Sequence, residues 1–382
     1  MIRTLTITYH SVPNLGAFLQ AYALHKTLND MGDIQDEILD FTSPRQIAIH
    51  TKEIYSRSLG IRSALVYLWG LMHRKDVRKR QALFEKQRMD FLHLTKPCKR
   101  WEEVKELITS GHYDVLISGS DQIWNPELGD FSPVYYYPGL KHKISYGSSL
   151  GFQISDPTIK YLKRFAGEYS WIAARETEAA RVISEITGRE IPVILDPSLL
   201  LEKEDYLPLT KNYPNNKIEK FILFYSVICD PSVIQKARQL SKHYHLPVIA
   251  IYNGGVFRRA ARERVQGFKV DFLTDPGKFI WYIMNAEMVL TDSFHGTAMS
   301  VLFHKNFLRI QEVHNGYPKK DNRIDTLLSS LSLEERTVSI LSEDLPSGQV
   351  DWDLVDETLN RLKADSKSWL EWAVRSTAGE KR

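Results

Sequence analysis

The sequence predicts an α/β protein with two domains, each built on a parallel sheet. Short apolar runs alternate with segments of helical periodicity along most of the chain, which is typical of strand–helix–strand units. The alternation forms two series, separated by a polar, proline-containing stretch from residue 196 to about residue 220. We therefore predict a first domain over residues 1–195, a second over 196–345, and C-terminal helices over 346–382 that pack back on the first domain.

Composition restricts the class of protein. The 382 residues are 43% hydrophobic and 25% charged, so a large core is available, and a net charge of +3 gives no argument for nucleic acid. Two cysteines, Cys98 and Cys229, indicate a reducing compartment, and no dense ligand pattern suggests a metal. The N-terminus enters a strand without a secretory apolar region, and the longest apolar run, around residues 64–72, is too short to span a bilayer. We expect a cytoplasmic protein.

The first domain opens with a strand at residues 5–9, a turn containing Asn14 and Gly16, and a helix that ends at Gly32. The first strand–helix turn of a doubly wound sheet lies at its ligand edge, so Asn14 is a candidate binding residue. The alternative is that Asn14 and Gly16 simply make the turn. No G-x-G-x-x-G sequence follows any candidate strand, which argues against an oxidoreductase that binds a dinucleotide.

Residues 43–108 are predicted to be a helical insertion in the first domain. An apolar stretch at 61–69 is followed by a basic stretch at 73–80. We favour a packed helix followed by a solvated one. The alternative is a peripheral contact with the inner membrane face or with a lipid-linked acceptor.

A predicted strand at residues 113–117 runs into a loop that is unusually rich in groups that bind sugars. Hydroxyls, a carboxylate and amides can bond sugar hydroxyls, and an indole face can cover the C–H side of a ring. We predict that this loop, with Ser148 at the end of the next strand, contacts a sugar. The candidate residues in the loop are Gly119, Ser120, Asp121, Gln122, Trp124 and Asn125.

Arg175 and Glu176 follow a predicted strand at residues 171–174. An arginine at a strand end can make a bidentate contact with a phosphate or a carboxylate. A salt bridge with Glu176 or another neighbour is the alternative. A further strand at residues 191–195 is expected to complete the first domain.

The second domain is predicted to contain strands at 221–226, 247–251, 287–291 and 307–310, then a helix capped near Asp321 and two helical segments in the tail. Its key stretch is residues 289–298, where an apolar strand meets a helix with Ser293 as the expected N-cap. Such a turn directs backbone N–H groups and the positive end of the helix dipole toward an anion. His295 in the first turn could donate a hydrogen bond or move a proton, unless it merely packs.

Taken together, these segments resemble the polysaccharide pyruvyl transferase family in content and order, over roughly residues 1–330. The matching stretches are residues 14–17, 119–125, 145–151, 175–176, 195–197, 291–296 and 322–324. The resemblance implies a fold similar to the glycosyltransferase B architecture, with the active site between two Rossmann-like domains. It also implies transfer of the enolpyruvyl carbons of phosphoenolpyruvate onto two hydroxyls of a sugar or lipid-linked oligosaccharide in exopolysaccharide or capsule biosynthesis. Neither a cofactor nor a metal is required by this chemistry.

One position departs from the family pattern. Family members often carry Arg-Leu-His-Gly after the strand, and here Ser293, Phe294, His295 and Gly296 stand in those positions. Arg175 matches the other donor-binding arginine of the family. We expect donor contacts from Arg175 and residues 293–296, with Arg323, Arg309 or Lys305 supplying the missing charge. His295 is the candidate acid, and Asp121 the candidate base or hydroxyl anchor.

Two other functions fit the same pattern. A glycosyltransferase of the same architecture would bind a nucleotide sugar in the second domain. A non-catalytic carbohydrate-binding protein of a polysaccharide assembly complex would bind the acceptor without turnover.

Overall fold

The computed structural model describes residues 1–46, 74–151, 154–214, 219–227, 230–252, 267–314, 317–342, 345–346 and 348–380. Its first sheet is parallel and five-stranded, in the order β2-β1-β3-β4-β5. The strands are β1 (Ile2–Ile7), β2 (Ile34–Ile38), β3 (Val115–Ser118), β4 (Lys143–Tyr146) and β5 (Trp171–Ala173). Because the strands run in one direction, the loops after β1, β3, β4 and β5 meet at one edge of the sheet.

The second sheet is also parallel and has six strands in the order β13-β10-β9-β6-β7-β8. Its strands are β6 (Ile222–Ser226), β7 (Val248–Tyr252), β8 (Lys269–Val270), β9 (Met288–Thr291), β10 (Phe307–Gln311) and β13 (Thr337–Ser339). A small antiparallel pair, β11 (Val313–His314) and β12 (Tyr317–Pro318), follows β10. The prediction of two α/β domains with parallel sheets is confirmed.

Helices connect the strands and cover the sheets. They are α1 (Leu15–Asn29), α2 (Arg74–Phe91), α3 (Trp101–Gly111), α4 (Asp156–Phe165), α5 (Thr177–Thr187), α6 (Pro231–Tyr244), α7 (Pro276–Asn285), α8 (Phe294–Leu302), α9 (Asn322–Ser330) and α10 (Trp352–Glu380). One hydrophobic cluster joins the two halves of the molecule, since it includes Phe18 of α1, Tyr146 of β4, Phe279 of α7 and Val301 of α8. Burial of this shared apolar surface holds the two sheets together.

Several strand and helix predictions need correction. Residues 191–195 form only an isolated bridge, Ala174 with Val193, because Pro192 has no N–H to donate to a ladder. The short edge strands β2, β8 and β13 were not predicted, and edge strands carry weak sequence signals. The tail is one continuous helix, α10, rather than two segments.

α10 packs against the first sheet. It buries Leu370, Ala373 and Val374, and the Ser366 hydroxyl accepts a hydrogen bond of 3.0 Å from the Leu195 N–H.

The predicted insertion is only partly described. The apolar stretch at 61–69 lies outside the described residues. The basic stretch continues into α2, where Lys75, Arg78 and Lys79 are exposed but Arg88 is buried and pairs with Asp40 at 2.6 Å. Within the described ranges, no helix is both long and apolar enough to cross a membrane. Contact with a membrane face therefore stays a prediction.

Candidate functional site

The turn between β9 and α8 forms as the sequence predicts. Ser293 is the N-cap of α8, and its hydroxyl accepts a hydrogen bond of 3.4 Å from the Gly296 N–H. Asp292 does not face a ligand, because its carboxylate accepts from the Ser226 hydroxyl and the Val227 N–H and so joins the ends of β9 and β6. The geometry leaves the first N–H groups of α8 at the carboxyl edge of the second sheet.

His295 lies in the first turn of α8 and packs directly on Gly16 of α1. A Cβ atom at position 16 would stand 2.1 Å from His295 Nδ1, so only glycine leaves room for the ring. Gly16 is therefore a packing partner of the candidate acid and not a turn residue, since α1 begins at Leu15. The other ring nitrogen, Nε2, is buried and has no hydrogen-bond partner among the described residues. It lies 3.8 Å from Asp196 Oδ1.

Arg175 is the centre of the polar cluster beside His295. Its guanidinium is fully buried between three carboxylates: Asp196 on Nη1, Asp121 at 3.6 Å from Nη2, and Glu176 at 3.6 Å from Nε. The Phe294 ring covers one face, with the ring centroid 5.0 Å from Cζ. Burial opposes the positive charge, but Asp196, Glu176 and Asp121 outweigh it and raise the pKa of Arg175.

Asp196 is a fixed anchor for this arginine. Its Oδ2 accepts from Arg175 and from the Ser120 hydroxyl, and its Oδ1 accepts from the Ser198 N–H at 2.9 Å and from the Ser198 hydroxyl. Burial acts to raise the pKa of Asp196, but Arg175, then His295 and the Ser198 bonds, lower it to about 2. The side chain therefore remains an anion, and it orients Arg175 by holding only the Nη1 group.

The side-on edge of Arg175 is formed by Nε and Nη2, which lie 3.6 Å from Glu176 and Asp121, beyond hydrogen-bond distance. Neither atom has a hydrogen-bond partner among the described residues, although both are buried. Buried donors without partners are costly, and this edge has the geometry for bidentate contact with a carboxylate or a phosphate. Together with His295 Nε2, these atoms form a set of three buried nitrogens without hydrogen-bond partners among the described residues.

Burial controls the protonation of the two neighbouring groups. It lowers the pKa of His295, against the opposing effect of Asp196 and Asp121. It raises the pKa of Glu176, against the opposing effect of Arg175 and the Ser149 hydrogen bond. Both shifts favour the neutral forms in the absence of a ligand.

Other predicted donor residues have mixed outcomes. Arg323 lies close enough to influence His295 and Glu176 electrostatically, and its guanidinium also bonds both carboxylate oxygens of Asp321. Lys305 lies at the opposite edge of the sheet, where Nζ donates to the Met284 carbonyl, so it cannot supply the missing charge. Arg309 pairs with Asp325 at 3.2 Å and lines a polar cavity of about 530 Å³ between α5 and α9.

The predicted acceptor loop is mostly structural. Trp124 is fully buried and stacks on Tyr136 with ring centroids 4.8 Å apart, so its face is not available to a sugar. Gly119 packs against Thr6, Thr8 and Leu24, and the Ser148 hydroxyl donates to the Gly119 carbonyl at 2.8 Å. All three residues are buried inside the protein, and their contact with a sugar stays a prediction.

Of the remaining loop residues, some lie beside Arg175 and others form hydrogen bonds within the protein. Ser120 accepts from Arg175 Nη1 at 3.2 Å, which makes it a support for the arginine. Asp121 has a left-handed backbone with φ of 72°, and its Oδ1 lies 3.6 Å from Arg175 Nη2. Asn125 donates to Gln122 Oε1 at 2.9 Å, and Asn14 caps α1.

Sequence reasoning missed Asp196 and the position of Glu176. Asp196 was interpreted as a domain boundary and Glu176 as a salt-bridge partner, and although both lie in stretches that resemble the family, neither was given a role in the site. The available signal was that a carboxylate follows the predicted strand end at each of these positions, at the same edge of the sheet as Asp121.

Comparisons with known proteins bear on the family and the fold of this chain. The sequence model of a family described as polysaccharide pyruvyl transferase matches residues 14–312. Comparison with curated proteins finds no match.

The solved structures similar to this chain show its fold. The structure of a UDP-GlcNAc 2-epimerase from Methanocaldococcus jannaschii has a TM-score of 0.51 at 10% identity, with 94% of this chain and 92% of that chain covered. The S. aureus MnaA-UDP co-structure has a TM-score of 0.50 at 12% identity, with 96% and 91% covered. The expected glycosyltransferase B-like architecture is thereby confirmed.

Proposed function

The chain belongs to the polysaccharide pyruvyl transferase family, and on that premise we propose that it uses phosphoenolpyruvate as its donor. It transfers the enolpyruvyl carbons onto two hydroxyls of a sugar, which gives a cyclic pyruvate ketal and phosphate. The observation that carries the proposal is the set of buried nitrogens that lack hydrogen-bond partners in the described part of the chain: Arg175 Nε, Arg175 Nη2 and His295 Nε2. Phosphoenolpyruvate has a phosphate and a carboxylate, and these are the groups that such donors recognise.

The reaction assigns a role to each group. A proton must be delivered to the methylene carbon, and the cation-like C2 is then attacked by one sugar hydroxyl, whose proton passes to a base. Phosphate leaves as the second hydroxyl adds to the same carbon, and the proton of this hydroxyl passes to the departing phosphate. In this proposal His295 binds the donor and delivers the proton, Arg175 binds its charge, and Asp121 receives a hydroxyl proton or orients the hydroxyl.

A calorimetric titration with phosphoenolpyruvate tests the donor assignment. We expect saturable binding that is lost in Arg175→Lys, because an ammonium cannot reproduce the bidentate edge. Arg181→Lys is the matched control, since Arg181 is exposed on α5 and pairs only with Glu178 and Glu185 among the described residues. His295→Ala should weaken binding and abolish transfer while the fold persists.

The same titration separates the alternative functions. Binding of a nucleotide sugar, without binding of phosphoenolpyruvate, would assign the protein to the glycosyltransferases. Binding of an acceptor glycan alone, without turnover, would favour a carbohydrate-binding role in an assembly complex.

A further inference from the structure

The charge around Arg175 is unfavourable for an anionic donor. Among the described residues, three carboxylates lie within ion-pair distance of this one guanidinium, and Arg323 is itself paired with Asp321. If all three were ionised, the cluster would carry two negative charges in excess. A ligand with a phosphate and a carboxylate would be repelled from it, strongly so in a buried site.

We propose that the site binds its anionic donor together with one proton, and that Glu176 carries this proton. The inference rests on the proposed function, since it concerns the same donor. Glu176 then acts as a neutral carboxylic acid whose hydroxyl donates a hydrogen bond to the ligand. Uptake of the proton also reduces the excess negative charge beside Arg175.

The two oxygens of Glu176 are placed for this role. Oε1 accepts from the Ser149 hydroxyl at 2.6 Å and from the Leu150 N–H at 3.1 Å. Oε2 is buried without a hydrogen-bond partner among the described residues and lies 3.6 Å from Arg175 Nε. A neutral carboxyl has one accepting oxygen and one oxygen that carries a hydrogen, which matches this division. A ligand oxygen beside Arg175 Nε could accept from both groups.

The other titratable groups around Arg175 fit the role less well. Asp196 has both oxygens occupied by donors, and its pKa of about 2 keeps it ionised. Asp121 Oδ1 already accepts from the Gln122 N–H at 2.8 Å. His295 is the rival proton carrier, because burial holds its pKa down in the free protein and an anion would raise it. Burial already raises the pKa of Glu176 before any ligand binds.

The proposal predicts a specific pH dependence. A donor that requires neutral Glu176 binds best below the pKa of this group in the free protein, and binding of the donor raises this pKa. Above the pKa in the free protein, affinity should fall about tenfold for each pH unit, as expected for one linked proton.

Calorimetry at pH 8 tests the proton directly, because the phosphate of phosphoenolpyruvate is then essentially ionised in solution. The wild-type protein is titrated in buffers of different ionisation enthalpy, and we expect uptake of up to one proton. Glu176→Gln should bind phosphoenolpyruvate without proton uptake, since the amide mimics the neutral acid. Asp121→Asn is the matched control, because it also neutralises a carboxylate 3.6 Å from Arg175, and it should retain the uptake.

The outcomes separate this inference from the donor assignment. Absence of phosphoenolpyruvate binding overturns both. Binding of the wild-type protein without proton uptake overturns only the role of Glu176. If proton uptake persists in Glu176→Gln and disappears in His295→Asn, His295 carries the proton and the proposed role of Glu176 is overturned. The measurement on the wild-type protein holds even if one variant is unstable.

Discussion

At the scale of single residues, Phe294 accounts for part of the departure from the family pattern. Many family members have leucine at this position after an arginine, whereas here Ser293 caps α8 and Phe294 covers the guanidinium of Arg175. A cation over an aromatic face is stabilised by the ring quadrupole, more so when both are desolvated. The aromatic ring therefore supports Arg175, the arginine that we propose binds the donor.

Phe294→Leu should lower both stability and donor affinity. Loss of the cation–π contact costs about 1–2 kcal/mol, and a less constrained Arg175 should bind phosphoenolpyruvate several-fold more weakly. Thermal melting and the calorimetric titration measure the two effects. Phe307→Leu, a buried position in β10, should reduce stability without changing affinity. Equal affinity in Phe294→Leu and wild type would contradict this role for the ring.

Gly16→Ala should displace the His295 ring, because no Cβ fits between α1 and the imidazole. We expect destabilisation of about 1–3 kcal/mol from overpacking and a clear loss of transfer activity. Gly379→Ala is the control, since no atom of the described residues outside its own helical turn lies within 4 Å of a Cβ there, and it should be near neutral. The interpretation fails if Gly16→Ala retains full activity.

At the scale of elements, α10 is bound to the first sheet by apolar and polar contacts. Its Ser366 hydroxyl satisfies the buried Leu195 N–H, directly before Asp196. Trp372 lies on Trp171 with ring centroids 4.3 Å apart, and Arg375 bonds both carboxylate oxygens of Asp33. The helix thus supports the segment that holds the Arg175 anchor.

Ser366→Ala should destabilise the protein by about 1–3 kcal/mol, because it leaves the Leu195 N–H without its acceptor in a buried site. Ser368→Ala on the same helix is exposed and should have almost no effect. Comparison of the two melting temperatures checks the prediction, and equal values would show that Leu195 finds another acceptor.

Local signals predicted the elements well, and long-range packing explains the errors. The Ser293 cap and the ends of β3, β5 and β9 follow from neighbouring residues alone. The burial of Trp124 depends on Tyr136 and Tyr169, which are distant in sequence. The loop sequence alone therefore predicted an indole face exposed to a sugar. The pairing of Arg175 with Asp196, 21 positions away, likewise depends on where two loops meet.

At the scale of the whole molecule, the site is formed by both domains. His295 comes from α8 beside the second sheet, whereas Gly16 and Arg175 belong to the first. The turn Pro197–Leu199, which Asp196 caps, packs against both α1 and α8. Any change that separates the sheets therefore also separates His295 from Arg175, so stability and donor binding should be coupled.

The buried His10 makes the stability of the whole fold depend on pH in the acid range. Arg88 Nε can only donate, so His10 Nδ1 accepts from it at 3.3 Å and Nε2 donates to the Leu39 carbonyl at 3.1 Å. Burial, followed by Arg88, lowers the pKa of His10 from 6.5 to about 3. Between pH 6.5 and about 3, the unfolded chain therefore binds a proton that the folded chain does not. The free energy of unfolding falls as the pH drops through this range.

Lowering the pH from 7 to 4.5 should cost about 2–3 kcal/mol through this residue. In His10→Gln this part of the loss should disappear, whatever the stability of the variant at pH 7. Urea denaturation of both proteins at the two pH values measures the difference, and the exposed His243→Gln should behave as wild type. Asp196 does not interfere, because its pKa of about 2, lowered from 3.8, places its contribution at more acidic pH. If His10→Gln loses as much stability as the wild type, the acid sensitivity arises elsewhere in the molecule.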